Sequence, residues 1–512
     1  MPLVEVDGLT IVVRGAPVVD TLSFKIGRGS RLGLVGQSGS GKTLIALAIA
    51  GLLPGAAKPA GAIRVDGARL GMIFQQSDSA LNPLMTAGEQ IAEAIASPGA
   101  EKPKRVAELL AEVGLEPAHG GAYPDTLTAG ERQQVLIAIA LALEPDLLIA
   151  DEPVAALDPP AQRRVLDLIK AICAGRNMAL LLISHDLKAI AALCSDVMVL
   201  QAGKVIESGP IAEVFGRPQR DFTKELVAAG KHRARTLMRS PIGADLIEVK
   251  GVTRRFARPW QSPWRRPPDL VALDALSFSV RRSECLAVVG PAGSGKSVLG
   301  RIVAGLDSAT TGTVEIDHQS YRGANLPRSL RRDITMVFQE PRQSFNPRLT
   351  VGESVTEPLR LEPHLILEEQ ADRLVESVRA VGLSPDMLTR YPATFSDGDI
   401  QRLAFARALI AKPRLVIFDE PVAALDVSLR GEMLMLLNRL RADFGLTCMV
   451  LSRDLDTVRS IADRVLMMDK GRIVEAGKPA DLIEAPRHPL TQGLVATRLP
   501  EVAQSLRAMP TE

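Results

Sequence analysis

Gly36-Gln37-Ser38-Gly39-Ser40-Gly41-Lys42-Thr43 recurs later in the chain as Gly290-Pro291-Ala292-Gly293-Ser294-Gly295-Lys296-Ser297. Each copy follows a short apolar run, Arg31 to Val35 or Cys285 to Val289, and reads into a helix starting near Lys42 or Lys296. Strand, glycine-rich turn and helix is the context a phosphate-binding loop requires. The glycines let backbone N–H groups turn toward phosphate oxygens, the helix N-terminus adds partial positive charge, and the lysine reaches the terminal phosphates. Two phosphate cradles follow: Gly36, Ser38, Gly39, Ser40, Gly41, Lys42 and Thr43 in one, and Gly290, Ala292, Gly293, Ser294, Gly295, Lys296 and Ser297 in the other. Thr43 and Ser297 are the hydroxyls expected on Mg²⁺.

A second motif repeats in the same order. Ala150-Asp151-Glu152-Pro153-Val154-Ala155-Ala156-Leu157-Asp158 returns as Phe418-Asp419-Glu420-Pro421-Val422-Ala423-Ala424-Leu425-Asp426. Each follows a four-residue apolar run, Leu147 to Ala150 or Leu415 to Phe418, that reads as a buried strand. These are Walker B patterns, in which Asp151 and Asp419 are metal ligands and Glu152 and Glu420 orient the attacking water. The chain is an internal duplication, and its second copy is longer between the two motifs. We expect domains at 1–235 and 246–500, a linker at 236–245 and a tail at 501–512. A Pro-rich stretch from Arg258 to Pro268 carries both tryptophans, Trp260 and Trp264. It reads as an exposed loop, with a membrane-surface or partner contact as the alternative.

Composition agrees with two globular α/β domains: 512 residues, 46% hydrophobic and 23% charged. Lys plus Arg number 61 against 59 Asp plus Glu, which disfavours a dedicated nucleic-acid binder. Cys173, Cys194, Cys285 and Cys448 form no C-x-x-C pair, so structural zinc, iron–sulfur ligation and a disulfide framework are not expected. The most apolar run, Val135 to Leu143, is far short of the roughly 20 residues that cross a bilayer. The opening Met1-Pro2-Leu3-Val4-Glu5-Val6 lacks the basic-then-apolar layout of a signal peptide, and export is not expected.

With Asp-Glu-Pro-x-x-Ala-Leu-Asp in both halves, the chain resembles the ATP-binding cassette of ABC transporters, from Val4 to about Leu494. The resemblance implies two P-loop nucleotide-binding domains in tandem, each with a RecA-like α/β core, an antiparallel β subdomain and a helical signature subdomain. It implies ATP and Mg²⁺ as cofactors. Gln75 and Gln339 match the family's Q-loop, which touches Mg²⁺ and water and faces the membrane subunit, so the segments after them, with Asn82 and Asn346, are expected to dock there. Leu127-Thr128-Ala129-Gly130-Glu131 and Phe395-Ser396-Asp397-Gly398-Asp399 stand at its signature, so Thr128, Gly130, Ser396 and Gly398 are expected on ATP. His185 matches the switch histidine, replaced in the second half by Arg453, and Phe256 matches the aromatic that stacks on adenine, where the first half offers Val12 or Val13.

The continuations Ser79-Ala80-Leu81-Asn82-Pro83 and Ser344-Phe345-Asn346-Pro347, with the tails Pro218 to Leu226 and Pro486 to Leu494, resemble the dipeptide, oligopeptide, nickel and glutathione importer branch. That branch implies two transmembrane permeases, an extracytoplasmic solute-binding protein and a peripheral place on the cytoplasmic face of the inner membrane, with no nucleic acid. The alternatives are a soluble twin-cassette ATPase of ribosomes or DNA, or a regulatory cassette pair. Head-to-tail pairing in the family gives shared ATP sites. Site one, with Lys42, Asp151, Glu152 and His185, then receives Ser396, Asp397 and Gly398; site two receives Thr128, Ala129 and Gly130 and lacks the histidine. An inward Asp397 carboxylate would oppose a phosphate about 4 Å away by up to ~4 kcal/mol at an effective dielectric of 20, and turning it to solvent avoids most of that. Site one is therefore expected to hydrolyse and site two to be slow or structural.

Overall fold

The computed structural model describes residues 2–37, 39–74, 80–96, 101–155, 157–230, 241–258, 268–423, 425, 427–500, 502 and 505. Two compact units emerge, one containing Met1–Lys231 and the other His232–Leu425 with Leu429–Ala496. Residues 236–240 of the expected linker, together with Trp260, Trp264, Ser38 and Gln75, lie outside the described residues.

In the first unit, β3 (Arg31–Gly36), β5 (Leu70–Ile73), β6 (Leu147–Asp151), β7 (Ala179–Ile183), β8 (Asp196–Gln201) and β9 (Lys204–Pro210) form one sheet in the order β5-β6-β7-β3-β8-β9. All neighbours are parallel except the antiparallel pair β8 and β9. β6 and β7 are buried along their whole length, as expected of parallel strands covered on both faces. Alternation then sorts their side chains. Leu147, Ile149, Leu181 and Ile183 pack with Ile45, Ala46 and Ile49 of the helix Lys42–Ile49. Leu148, Leu180 and Leu182 face the opposite layer with Val165, Leu166 and Ile169 of the helix Pro159–Gly175.

A separate antiparallel sheet, β2-β1-β4, is built from β1 (Val4–Val13), β2 (Ala16–Ile26) and β4 (Ala57–Val65). Val4, Val6, Leu9 and Ile11 of β1 join the core around the helix Lys42–Ile49. The helices Ala87–Ala94, Lys102–Glu112 and Ala129–Leu141 form a third layer through Ile91, Leu109, Leu110 and Leu136.

The second unit repeats the plan. Its sheet runs β15-β16-β17-β12-β18-β19, from β12 (Cys285–Val289), β15 (Ile334–Val337), β16 (Leu415–Asp419), β17 (Thr447–Ser452), β18 (Arg464–Asp469) and β19 (Arg472–Gly477). Its antiparallel sheet has four strands, β11-β10-β13-β14, from β10 (Asp245–Phe256), β11 (Leu270–Arg281), β13 (Thr311–Ile316) and β14 (Gln319–Tyr321). Part of the extra length after the second glycine loop thus builds β14, whose Tyr321 hydroxyl donates to the Val303 carbonyl at 2.6 Å.

The two tail motifs are pinned alike. Glu207 of β9 accepts from the Gln219 and Arg220 N–H groups, and Glu475 of β19 from those of Arg487 and His488. All four cysteines are free and buried. Register sets Cys285 of β12 opposite Cys448 of β17, a proximity not visible in their spacing, and burial pushes both thiols well above their ordinary range.

Candidate active sites

Parallel strands converge at their carboxyl ends, where open α/β sheets bind ligands. In the first unit that edge carries the glycine loop after β3, Asp151 at the end of β6 and Ser184-His185 after β7. In the second it carries the loop after β12, Asp419 and Arg453. Both strands before the Asp-Glu pairs run through the aspartate, one residue beyond the apolar runs.

The loops are shaped by their last glycines. Gly41 and Gly295 cap the following helices with φ of 95° and 98°, a left-handed backbone that glycine adopts without strain. A Cβ on Gly41 would lie 2.6 Å from Val19 Cγ2, and one on Gly295 2.4 Å from the Ala272 carbonyl oxygen. Lys42 Nζ donates to the carbonyls of Gly36 and Gln37, both at 2.8 Å, and Lys296 Nζ to those of Gly290 at 2.7 Å and Pro291 at 2.8 Å. Both ammonium groups stand inside the cradle, bonded to oxygens of the loop itself.

Beside each lysine is a buried carboxylate. Asp151 is 1% exposed, and burial, opposed by the Thr43 hydroxyl and the Lys42 charge, pushes its pKa up to about 6. Its Oδ1 accepts no hydrogen bond. Asp419 is raised by burial as well, and its Oδ1 accepts from Ser297 Oγ at 3.2 Å. A buried carboxylate oxygen without a donor, next to a hydroxyl and a phosphate cradle, suits a hard divalent cation such as Mg²⁺ that brings its own phosphate and water ligands.

Glu152 and Glu420 both have left-handed backbones, with φ of 49° and 48°. For a non-glycine residue this conformation costs of order 1–2 kcal/mol, and it persists because β7 and β17 hold the glutamate N–H groups: Glu152 N donates to the Ile183 carbonyl and Glu420 N to that of Leu451, both at 2.9 Å.

What meets each carboxylate differs. Glu152 Oε1 accepts from the His185 backbone N–H at 2.9 Å. Its Oε2 lies 2.9 Å from His185 Nδ1, but off the line of a hydrogen bond. Glu420 Oε2 is gripped by Arg453, whose Nε and Nη2 approach to 2.8 and 2.6 Å, and Gln339 Nε2 reaches the same oxygen at 3.5 Å.

The signature segments open long helices. Thr128 caps Ala129–Leu141 in a reciprocal box with Glu131, and Ser396 caps Asp397–Leu409 by accepting from the Asp399 N–H. The side chain of Asp397 is 73% exposed and pairs with Arg342 Nη2 at 2.8 Å, so its charge is turned outward and neutralised. Phe256 ends β10 half-buried, with the Arg254 guanidinium 4.5 Å over its ring. Sequence reasoning singled out Glu152 and Glu420 but not their left-handed backbones, and it did not single out Arg342, for which the difference between the two halves at positions 78 and 342 was the available signal.

A model of the "ABC transporter" family matches residues 19–155 and again 273–423. The chain belongs to the ABC transporter family. It is an ATP-binding cassette ATPase with two cassettes in one chain. It is 35% identical to the glutathione import ATP-binding protein GsiA of Shigella sonnei and to that of Escherichia coli (strain K12), over 93% of this chain and 86% of each relative. The solved dimeric structure of the ATP-binding cassette MJ0796 bound to ADP and Pi is 28% identical, covering 46% of this chain and 99% of that one with a TM-score of 0.41. The likeness to the two import proteins favours a transporter over the ribosome or DNA alternative. Among the described residues no helix is long and apolar enough to cross a membrane.

Proposed function

We propose that this ABC protein powers the uptake of glutathione, peptides or related small solutes, docked on two transmembrane permeases at the cytoplasmic face of the inner membrane and fed by an extracytoplasmic solute-binding protein. The likeness to glutathione import proteins over nearly the whole chain supports this reading. The observation that carries the ATPase part is the pairing, in each cassette, of a lysine-filled glycine loop with a buried, cation-seeking aspartate and a strained glutamate.

Thr43 with Asp151, and Ser297 with Asp419, would hold the Mg²⁺ that arrives with ATP; Gln75 and Gln339 would reach the same ion. The ion neutralises developing phosphate charge when bound. Glu152 then takes a proton from the attacking water, with His185 beside it, and the loop N–H groups and lysines hold the phosphates. Phe256 offers adenine the ring face that Arg254 leaves free. Thr128, Gly130, Ser396 and Gly398 are the signature residues proposed to touch ATP, and the domains are taken as 1–235 and 246–500.

The two sites are unequal in this reading. Site one hydrolyses, because Glu152 is met by a backbone N–H and an imidazole rather than by a guanidinium. Site two is slow, because a permanent cation occupies the Glu420 oxygen that would accept the proton of water. Reconstitution with the candidate permeases in proteoliposomes tests the whole: ATP-driven glutathione or peptide accumulation is expected, and association with ribosomes or DNA without any permease-stimulated turnover would overturn it.

A further inference from the structure

The signature turns of the two cassettes are clamped by arginines from different places. In the first cassette Arg132, from the signature helix itself, donates Nη1 to the carbonyls of Pro124 at 3.3 Å and Leu127 at 2.6 Å. The corresponding carbonyls of the second cassette are those of Pro392 and Phe395, and the position of Arg132 is occupied there by Ile400, buried in the core. The same two oxygens are nevertheless bound: Arg342 Nη1 donates to Pro392 at 3.2 Å and Nη2 to Phe395 at 2.9 Å. Arg342 comes from the segment after Gln339, and its Nε and Nη2 also bind Asp397 Oδ1 at 3.1 and 2.8 Å.

A second guanidinium spans the same gap from the other side. Arg407 of the signature helix donates to the Ser344 carbonyl at 2.7 Å and to Ser344 Oγ at 2.5 Å, and stacks 4.3 Å over the Phe345 ring. At the positions of Arg342 and Arg407 the first cassette has Asp78 and Ile139. Two carbonyls held from within the signature helix in one cassette are thus held in the other from the segment after Gln339.

We propose that Arg342 is a positioning residue that fastens the segment after Gln339 to the signature turn of the second cassette, so that a displacement of that segment moves Ser396, Asp397 and Gly398 with it. The functional consequence rests on the reading that this segment faces a permease. Arg342 and Asp397 are 44% and 73% exposed in their side chains, and an ion pair this exposed contributes little alone. The two carbonyls, which a single rigid fork satisfies together, carry the link. Asp397 completes the fork by holding the guanidinium in plane.

The full-length protein, alone and with its permeases in proteoliposomes, tests this with Arg342→Ala, Arg342→Lys and Arg342→Ala/Ile400→Arg. Hydrogen exchange of amides 393–399 is expected to quicken on the order of 10-fold in Arg342→Ala, as loss of hydrogen bonds to a charged donor implies, with amides 125–131 of the first cassette unchanged as a control. Arg342→Lys should behave alike, since its ammonium ends one bond short of the Nη positions that reach the two carbonyls. Both should lose solute moved per ATP hydrolysed. The double variant, which holds the two carbonyls from within the signature helix as Arg132 does, should slow exchange again without restoring transport per ATP. Wild-type exchange and uptake in Arg342→Ala overturn the proposal; so does wild-type behaviour of Arg342→Lys, which would leave only charge neutralisation, or full recovery of coupling in the double variant. Should burial of the guanidinium introduced by Ile400→Arg prevent folding, seen as a lost melting transition, the two single variants decide. Failure of the docking reading shows separately, as unchanged uptake in the Leu84 variant discussed below, while the exchange result stands by itself.

Discussion

Arg453 Nη2 lies 2.6 Å from Glu420 Oε2, whereas the first cassette sets His185 Nδ1 2.9 Å from Glu152 Oε2 without aligning a hydrogen bond. One carboxylate faces an imidazole and the other is held by a guanidinium, a permanent cation. Glu152→Gln should therefore lower steady-state ATPase activity by about 10²-fold or more, and Glu420→Gln by much less. Arg453→His should add turnover in a Glu152→Gln background. Phosphate-release assays check all three, and a larger loss in Glu420→Gln than in Glu152→Gln reverses the assignment.

Lys42→Ala and Lys296→Ala should each weaken ATP binding by roughly 10- to 100-fold, the range for losing hydrogen bonds from a charged donor. Each leaves the loop N–H groups alone with the phosphate charge. Titration with a fluorescent nucleotide reads this directly, and unchanged affinity in both variants would refute the phosphate cradles.

Asp151 gives the nucleotide-free protein a pH dependence of known sign. Its folded pKa of about 6 stands above the ordinary 3.8, so the folded state binds more protons between those values and stability falls as pH rises through them. Above pH 6 the ionised carboxylate costs about 3 kcal/mol. Asp151→Asn should accordingly melt higher than wild type at pH 7 in EDTA, with the gap closing near pH 4. Calorimetry at the two pH values decides, and a constant gap means burial does not hold that proton.

The left-handed glutamates predict a trade of activity against stability. Glu152→Gly removes the strain at φ 49° together with a buried carboxylate, and should raise the melting temperature of the first cassette by about 2–4 °C while abolishing its hydrolysis. A lower melting temperature would mean that the Glu152 bond to the His185 N–H outweighs the strain.

Leu84, with 86% of its surface exposed, is the apolar point of the segment read as facing a permease. Leu84→Asp should leave the ATPase activity of the isolated protein within about 2-fold, surface changes being mild, and sharply reduce uptake. Parallel loss of both would make the segment structural.

Legibility from sequence divides along the range of the interactions. Gly36 to Thr43 and Leu147 to Glu152 are contiguous, so strand, turn and helix signals coincide with the chemistry, and the alternating sheets followed. Within the segments expected to dock, Asn82 and Asn346 accept at Oδ1 from the N–H groups of Leu84 and Arg348 at 3.0 Å, making the turns that project those neighbours. The Asn-Pro pairs already signalled such turns. The outward pairing of Asp397 was beyond reach, because its partner Arg342 is 55 residues away and no local pattern selects it. The backbone strain at Glu152 was invisible for another reason: glutamate carries no preference for that conformation, and the neighbouring strand imposes it.

The lysines inside the glycine loops bear on how fast these sites fill. With Nζ bonded to the Gly36 and Gln37 carbonyls, the loop's own oxygens stand where phosphate oxygens would meet the ammonium. Arrival of ATP is then an exchange of acceptors around one ammonium rather than the ordering of a slack loop. Association at Lys42 and Lys296 should accordingly run near the rate set by diffusion, with differences in affinity among loop variants written almost wholly in how long the nucleotide stays.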